Sequence, residues 1–141
     1  MTARVFHTAS EEDTIALGEQ IARELPRKAV VLLIGNLGAG KTTLAKGIAQ
    51  GLGAVAAEEV SSPTFTLIHE YGERMYHIDL YRLDTAAEVA TLGLDEIFDR
   101  DAVVLVEWGE RFLELMPAER VEIRLEPEGE DGRRIEVHGH E

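Results

Sequence analysis

The sequence predicts a single α/β domain over residues 1–141, built on a central mixed, mostly parallel sheet flanked by helices, with an antiparallel hairpin at the C-terminal end. Three observations carry this. Residues 29–34 and 102–106 are apolar without alternation, as parallel strands buried on both faces are. Residues 121–125 and 134–138 alternate strictly, as paired strands with one solvated face do, and Gly129 and Gly132 lie between them. Segments with apolar residues at near-helical spacing separate the strand-like runs.

In chain order, residues 3–8 read as a short strand. Ser10-Glu11-Glu12-Asp13 resembles a capping box, the Ser10 hydroxyl accepting from a free N–H of the first turn. Ile15, Leu17, Ile21, Ala22 and Leu25 then predict a helix to about Leu25, stopped by Pro26. After strand 29–34 and a glycine-rich stretch, residues 41–51 read as a helix with Leu44, Ile48 and Leu52 facing inward. Runs 64–69 and 74–80 suggest a hairpin through Tyr71-Gly72-Glu73. Asp84 is the expected N-cap of a helix through Leu92, ended by Gly93. A helical turn over 111–116 precedes the last hairpin.

Composition excludes several classes of function. There are no cysteines, which removes disulfides and thiolate zinc sites and fits a reducing cytoplasm. No apolar run has the length of a membrane helix or a signal peptide, so a soluble, cytoplasmic protein is expected. The net charge of −13 comes from 27 acidic and 14 basic residues. Such a surface repels nucleic acid, so no autonomous nucleic-acid binding is expected and any RNA is carried by a partner. None of the five histidines has zinc spacing, and His138 and His140 read as a solvated pair.

Gly35-Asn36-Leu37-Gly38-Ala39-Gly40-Lys41-Thr42 fits G-x-x-x-x-G-K-[ST], the phosphate-binding loop of a P-loop NTPase-like domain. Its glycines let consecutive N–H groups converge on a phosphate at the positive end of the next helix. Lys41 is expected on the β- and γ-phosphates, and the Thr42 hydroxyl on Mg2+. The loop lies between a buried strand and a helix, as that mechanism requires. No Asn-Lys-x-Asp segment is present, so ATP is preferred to GTP.

A magnesium site needs carboxylates at neighbouring strand ends. Glu107 directly follows 102–106, and Asp79 ends Met75-Tyr76-His77-Ile78. Either is suited to hold a magnesium-bound water or to orient the attacking one; the bland alternative is a carboxylate that caps a strand end. Trp108 lines the nucleotide pocket, meets a partner, or packs in the core. Ser61-Ser62-Pro63-Thr64-Phe65-Thr66 is either a switch segment sensing γ-phosphate or a rigid turn set by Pro63.

Taken together, Gly35 through Thr43, Ser62-Pro63-Thr64-Phe65-Thr66-Leu67, Tyr76-His77-Ile78-Asp79-Leu80-Tyr81-Arg82-Leu83 and Leu105-Val106-Glu107-Trp108 resemble the TsaE family, bacterial ATPases also called the YjeE group. The resemblance runs from about Arg4 to Val137. It implies a role in making threonylcarbamoyladenosine beside the tRNA anticodon, with TsaB and TsaD as protein partners. TsaD transfers the threonylcarbamoyl group, and ATP hydrolysis lets the assembly turn over. By motif position, Leu37, Gly38, Ala39, Gly40, Lys41, Thr42 and Thr43 would bind nucleotide, and Thr42 and Glu107 magnesium. Lys41, Asp79 and Glu107 would be the catalytic set, Trp108 would lie near the nucleotide, and Arg133 would reach it from the last hairpin. The family loop usually begins Gly-Asp-Leu; here Asn36 stands in place of the Asp, at a position that the resemblance implies would present backbone rather than side chain to phosphate. No arginine finger is evident, so slow intrinsic hydrolysis is expected. The competing readings are a kinase with Asp79 as base, for which the chain is short, and a nucleotide-operated switch.

Overall fold

Ser10, in extended conformation, accepts from the Asp13 N–H at 3.1 Å and opens the first helix. The return bond goes from Ala9 N–H to Asp13 Oδ2, one residue before the cap. This and the elements that follow come from a computed structural model, which describes residues 3–36, 38–54 and 67–139. Leu37, the segment Ser61 to Thr66, and His140 lie outside the described residues.

The strands are β1 (Ala3–Thr8), β2 (Ala29–Ile34), β3 (Ile68–Tyr71), β4 (Met75–Asp79), β5 (Val103–Glu107), β6 (Val121–Glu128) and β7 (Gly132–His138). The helices are α1 (Glu11–Glu24), α2 (Lys41–Leu52), α3 (Ala86–Ala90) and α4 (Leu94–Phe98), with a 3-10 segment over Gly109–Leu115. Among the described residues these strands form one sheet in the order β1-β7-β6-β2-β5-β4-β3. Its centre, β6-β2-β5-β4, is parallel, and the flanking β1-β7, β7-β6 and β4-β3 ladders are antiparallel. The predicted fold class is therefore the observed one. β2 and β5 are buried on both faces, which is why neither alternates in sequence.

Strand alternation divides the core between two faces. Val31, Leu33, Met75, Val103 and Leu105 pack with Leu17, Ile21, Leu44 and Ile48 of α1 and α2. Val30, Leu32, Tyr76, Ile78, Val104 and Val106 pack with Val89, Leu94, Phe98 and Phe112 on the other face. The helices α1 and α2 approach through glycine. A Cβ at Gly47 would be driven into the Ile15 carbonyl oxygen, with Ile15 Cα only 2.9 Å away, and one at Gly18 would stand 2.6 Å from Leu44 O.

The expected helix from Asp84 to Leu92 needs correction. Thr85 is the N-cap, in a reciprocal capping box with Glu88, and α3 ends at Ala90. The Glu88 carboxylate also accepts from the Asp84 N–H, so Asp84 stands one residue outside the cap. Gly93, expected only as a helix end, is the N-cap of a second short helix, α4, for which the sequence reading gave no element. The last turn is 3-10 and begins at Gly109, two residues before the expected 111. No helix among the described residues is long and apolar enough to cross a membrane.

Candidate functional site

The loop after β2 turns back on itself, with the Ala39 N–H donating to Asn36 O at 3.0 Å. Gly38 and Gly40 take φ of 80° and 100°, in the left-handed region where a side chain is strained. Gly40 is also the N-cap of α2, so Lys41 and Thr42 occupy the first turn of that helix. Free N–H groups and the positive end of the helix dipole gather there.

Period-two alternation places His77 and Asp79 of β4 on the face that carries Met75, and Glu107 of β5 on the face that carries Leu105. That is the α2 face. The parallel register sets Asp79 opposite Glu107 and His77 opposite Leu105, so both carboxylates leave adjacent strands at their C-terminal ends. Open parallel sheets bind ligands at that edge. Asp79 and Glu107 are buried there rather than exposed caps. Asp79 Oδ1 accepts from the Tyr81 N–H at 2.8 Å.

Lys41 is 5% exposed; its Nζ stands 3.9 Å from Glu107 Oε1 and 4.0 Å from the centroid of the Trp108 ring. No hydrogen-bond partner for this ammonium is found among the described residues. Burial holds its pKa below the ordinary 10.5, and Glu107, Glu110 and Asp79 draw it back part of the way. Trp108 itself has φ of 68°, a conformation that costs a bulky residue about 1–2 kcal/mol. That turn swings its ring under Lys41 and to 5.1 Å from the Tyr81 ring. Trp108 is thus half-buried at the site and packed on the second core cluster at once.

Arg133 reaches the loop rather than standing clear of it. Its NH2 group donates to Gly38 O at 3.3 Å, and its Nε would be 2.9 Å from a Cβ at Gly40. Thr42 and Thr43, which follow Lys41 in the chain, are half-buried. Among the described residues, then, the structure brings together Gly38, Ala39, Gly40, Lys41, Thr42, Asp79, Glu107, Trp108 and Arg133. A buried ammonium with no hydrogen bond among the described residues, a helix N-terminus and oxygen donors at two strand ends fit a magnesium-bound polyphosphate.

Two residues that border this site were not singled out from sequence. His77, fully buried, shares a 2.6 Å hydrogen bond between its Nε2 and Glu107 Oε2. Its signal was present: a lone histidine inside an apolar strand, two residues before Asp79 and so on its face. Glu110 has no such signal, because it comes near Lys41 through the 3-10 turn. Burial raises its pKa above 4.5, against Lys41, Arg124 and Arg111, which lower it. Between 4.5 and the raised value the folded chain keeps a proton that the unfolded chain has lost, so stability falls as pH rises through that window. Glu110→Gln should therefore melt at a higher temperature than the parent at pH 7.5 and at the same temperature near pH 4. Thermal melts at the two pH values check this.

Known proteins resemble this chain over most of its length. The family profile described as "Threonylcarbamoyl adenosine biosynthesis protein TsaE" matches residues 8–135. A Bacillus subtilis (strain 168) protein named tRNA threonylcarbamoyladenosine biosynthesis protein TsaE is 42% identical over 133 residues, which cover 92% of this chain and 82% of that one. A Treponema pallidum (strain Nichols) protein of the same name is 40% identical over 130 residues, 91% of this chain and 95% of that one. The crystal structure of Bacillus subtilis YdiB superposes with a TM-score of 0.78 at 36% identity, covering 96% of this chain and 84% of YdiB. Matched by the profile over most of its length and by relatives at this level of identity, the chain belongs to the TsaE family.

Proposed function

We propose that this chain is the ATP-binding and ATP-hydrolysing subunit of tRNA threonylcarbamoyladenosine biosynthesis, the process named in its relatives. The observation that supports this most is Lys41, a buried ammonium with no hydrogen-bond partner among the described residues, at the start of α2 and facing Glu107. An interior cation without hydrogen bonds is costly, and phosphate oxygens supply charge-assisted ones.

In this reading the N–H groups from Leu37 to Thr43 and the dipole of α2 cradle the phosphates of ATP, and Lys41 bridges β and γ. Thr42 and Glu107 hold Mg2+, a hard cation that takes oxygen donors and neutralises charge on the phosphates when bound. Asp79 orients the attacking water. Trp108 lies beside the nucleotide, and Arg133 steadies the loop and reaches toward it. TsaB and TsaD are the partners, TsaD transferring the threonylcarbamoyl group. The chain meets tRNA only through them, in keeping with its net charge of −13, and works in the cytoplasm.

Asp79→Ala should lower phosphate release about a hundredfold or more, while ATP affinity stays within a few fold, because the cradle is backbone and Lys41. Nucleotide titration beside a phosphate assay checks this; loss of binding would overturn the division of labour. The whole reading is tested by phosphate release from magnesium-ATP, first by the chain alone and then with TsaB, TsaD and tRNA. Slow basal release that the partners accelerate supports it. Release indifferent to those partners would remove the pathway, and a phosphorylated acceptor in place of free phosphate would make the chain a kinase.

A further inference from the structure

His77 has no part in the reading above, yet it is 0% exposed and joined to Glu107 by a 2.6 Å hydrogen bond. A carboxylate oxygen only accepts, so with Glu107 ionised the proton of this bond sits on His77 Nε2. His77 Nδ1 is buried with no partner among the described residues. An imidazole with a bare Nδ1 leaves only an acceptor unmatched there, whereas a proton on Nδ1 would bury an unmatched donor.

Burying this pair is not a route to stability. Apolar side chains of similar shape stabilise an interior as well or better, since imidazole and carboxylate must both be desolvated. What the pair gives is geometry. Glu107 ends β5 on three rotatable bonds and would sample several rotamers if untethered. The His77 bond occupies Oε2 and fixes the carboxylate plane, so Oε1 is left facing Lys41, 3.9 Å away. The parallel β4–β5 register puts His77 one side-chain step behind Asp79, deep to the site rather than in it.

We propose that His77 is a positioning residue, which holds Glu107 by its Oε2 and so aims Oε1 at the magnesium-phosphate site. This rests on the reading of Glu107 as a magnesium carboxylate. Partners that orient metal-ligating carboxylates are worth about 10- to 100-fold in metal affinity or activity.

The test compares the full chain with His77→Met, which keeps the bulk and loses the donor, and His77→Gln, whose amide NH2 restores one near Nε2. Binding of a non-hydrolysable ATP analogue is titrated without magnesium and then against magnesium concentration. In His77→Met the magnesium midpoint should rise about 10- to 100-fold, magnesium-free affinity should stay unchanged, and His77→Gln should recover most of the loss. An unchanged midpoint in His77→Met, or an equal loss of magnesium-free and magnesium-dependent binding, would overturn the positioning role. Absence of magnesium dependence in the parent chain would instead overturn the magnesium reading of the site. Should His77→Met not fold, the imidazole 15N spectrum of the parent decides: a proton on Nε2 supports the tether, and one on Nδ1 alone overturns it.

Discussion

Lys41→Met should reduce magnesium-ATP hydrolysis about a thousandfold while leaving the melting temperature unchanged or higher. Rate and stability separate because they draw on opposite sides of one arrangement. In the folded chain the ammonium is removed from water, and that desolvation outweighs the attraction of Glu107, Glu110 and Asp79, since its pKa is lowered in spite of them. The charged form is therefore held at a cost that an apolar side chain of the same length does not carry. Glu107 keeps its hydrogen bond from His77 when the ammonium is gone, so it is not left bare. Hydrolysis and thermal melts on one preparation check both halves. A melting point lowered by more than a few degrees would make Lys41 a structural cation whose value lies in its pairing with Glu107.

Gly47→Ala should destabilise the fold by about 3 kcal/mol, although alanine is the better helix former by about 1 kcal/mol. Helix propensity alone predicts the opposite sign, which makes this variant a clean measure of packing. Gly47 lies inside α2 where α1 crosses it, and its Cβ would meet the Ile15 carbonyl oxygen and carbon, with the carbon 2.8 Å away. Those atoms are backbone. They cannot rotate aside, so α1 must move off α2 and open the cluster around Leu17, Ile21, Leu44 and Ile48. In a chain of 141 residues the loss corresponds to a fall of about 10 °C in melting temperature. Nucleotide affinity should fall as well if α1 sets the tilt of α2, because the start of α2 carries Lys41 and Thr42.

Much of this arrangement is legible in the sequence, and the physical reason is locality. Strands β2 and β5 announce themselves because burial on both faces demands an unbroken apolar run, and β6 and β7 because one wet face demands alternation. The glycine loop is readable because its backbone conformations and its lysine are needed within eight consecutive residues. Glu107 and Asp79 follow from the rule that such a loop requires acids at neighbouring strand ends. The α3–α4 region was misread because Thr85 and Asp84 are both good caps. Only the position of Glu88, three residues after Thr85, closes the reciprocal bond that selects one of them.

What the chain's order could not show is which side chains meet across elements. Strand order and register are long-range pairings, and they alone set Asp79 beside Glu107 and His77 behind both. The grip of Arg133 on Gly38 O depends on the last hairpin folding back along β6 to the loop after β2, across 95 residues of sequence. The solvent exclusion that leaves the Lys41 ammonium with no hydrogen bond among the described residues, raises the pKa of Glu110 and tethers Glu107 to His77 is a property of the packed interior. By itself, then, the sequence determined the elements and the loop chemistry, since propensity, periodicity and turn stereochemistry act between near neighbours. The tertiary structure decided how the carboxylates, the ammonium and the imidazole share protons and charge, since distance and desolvation exist only once the sheet has closed around them.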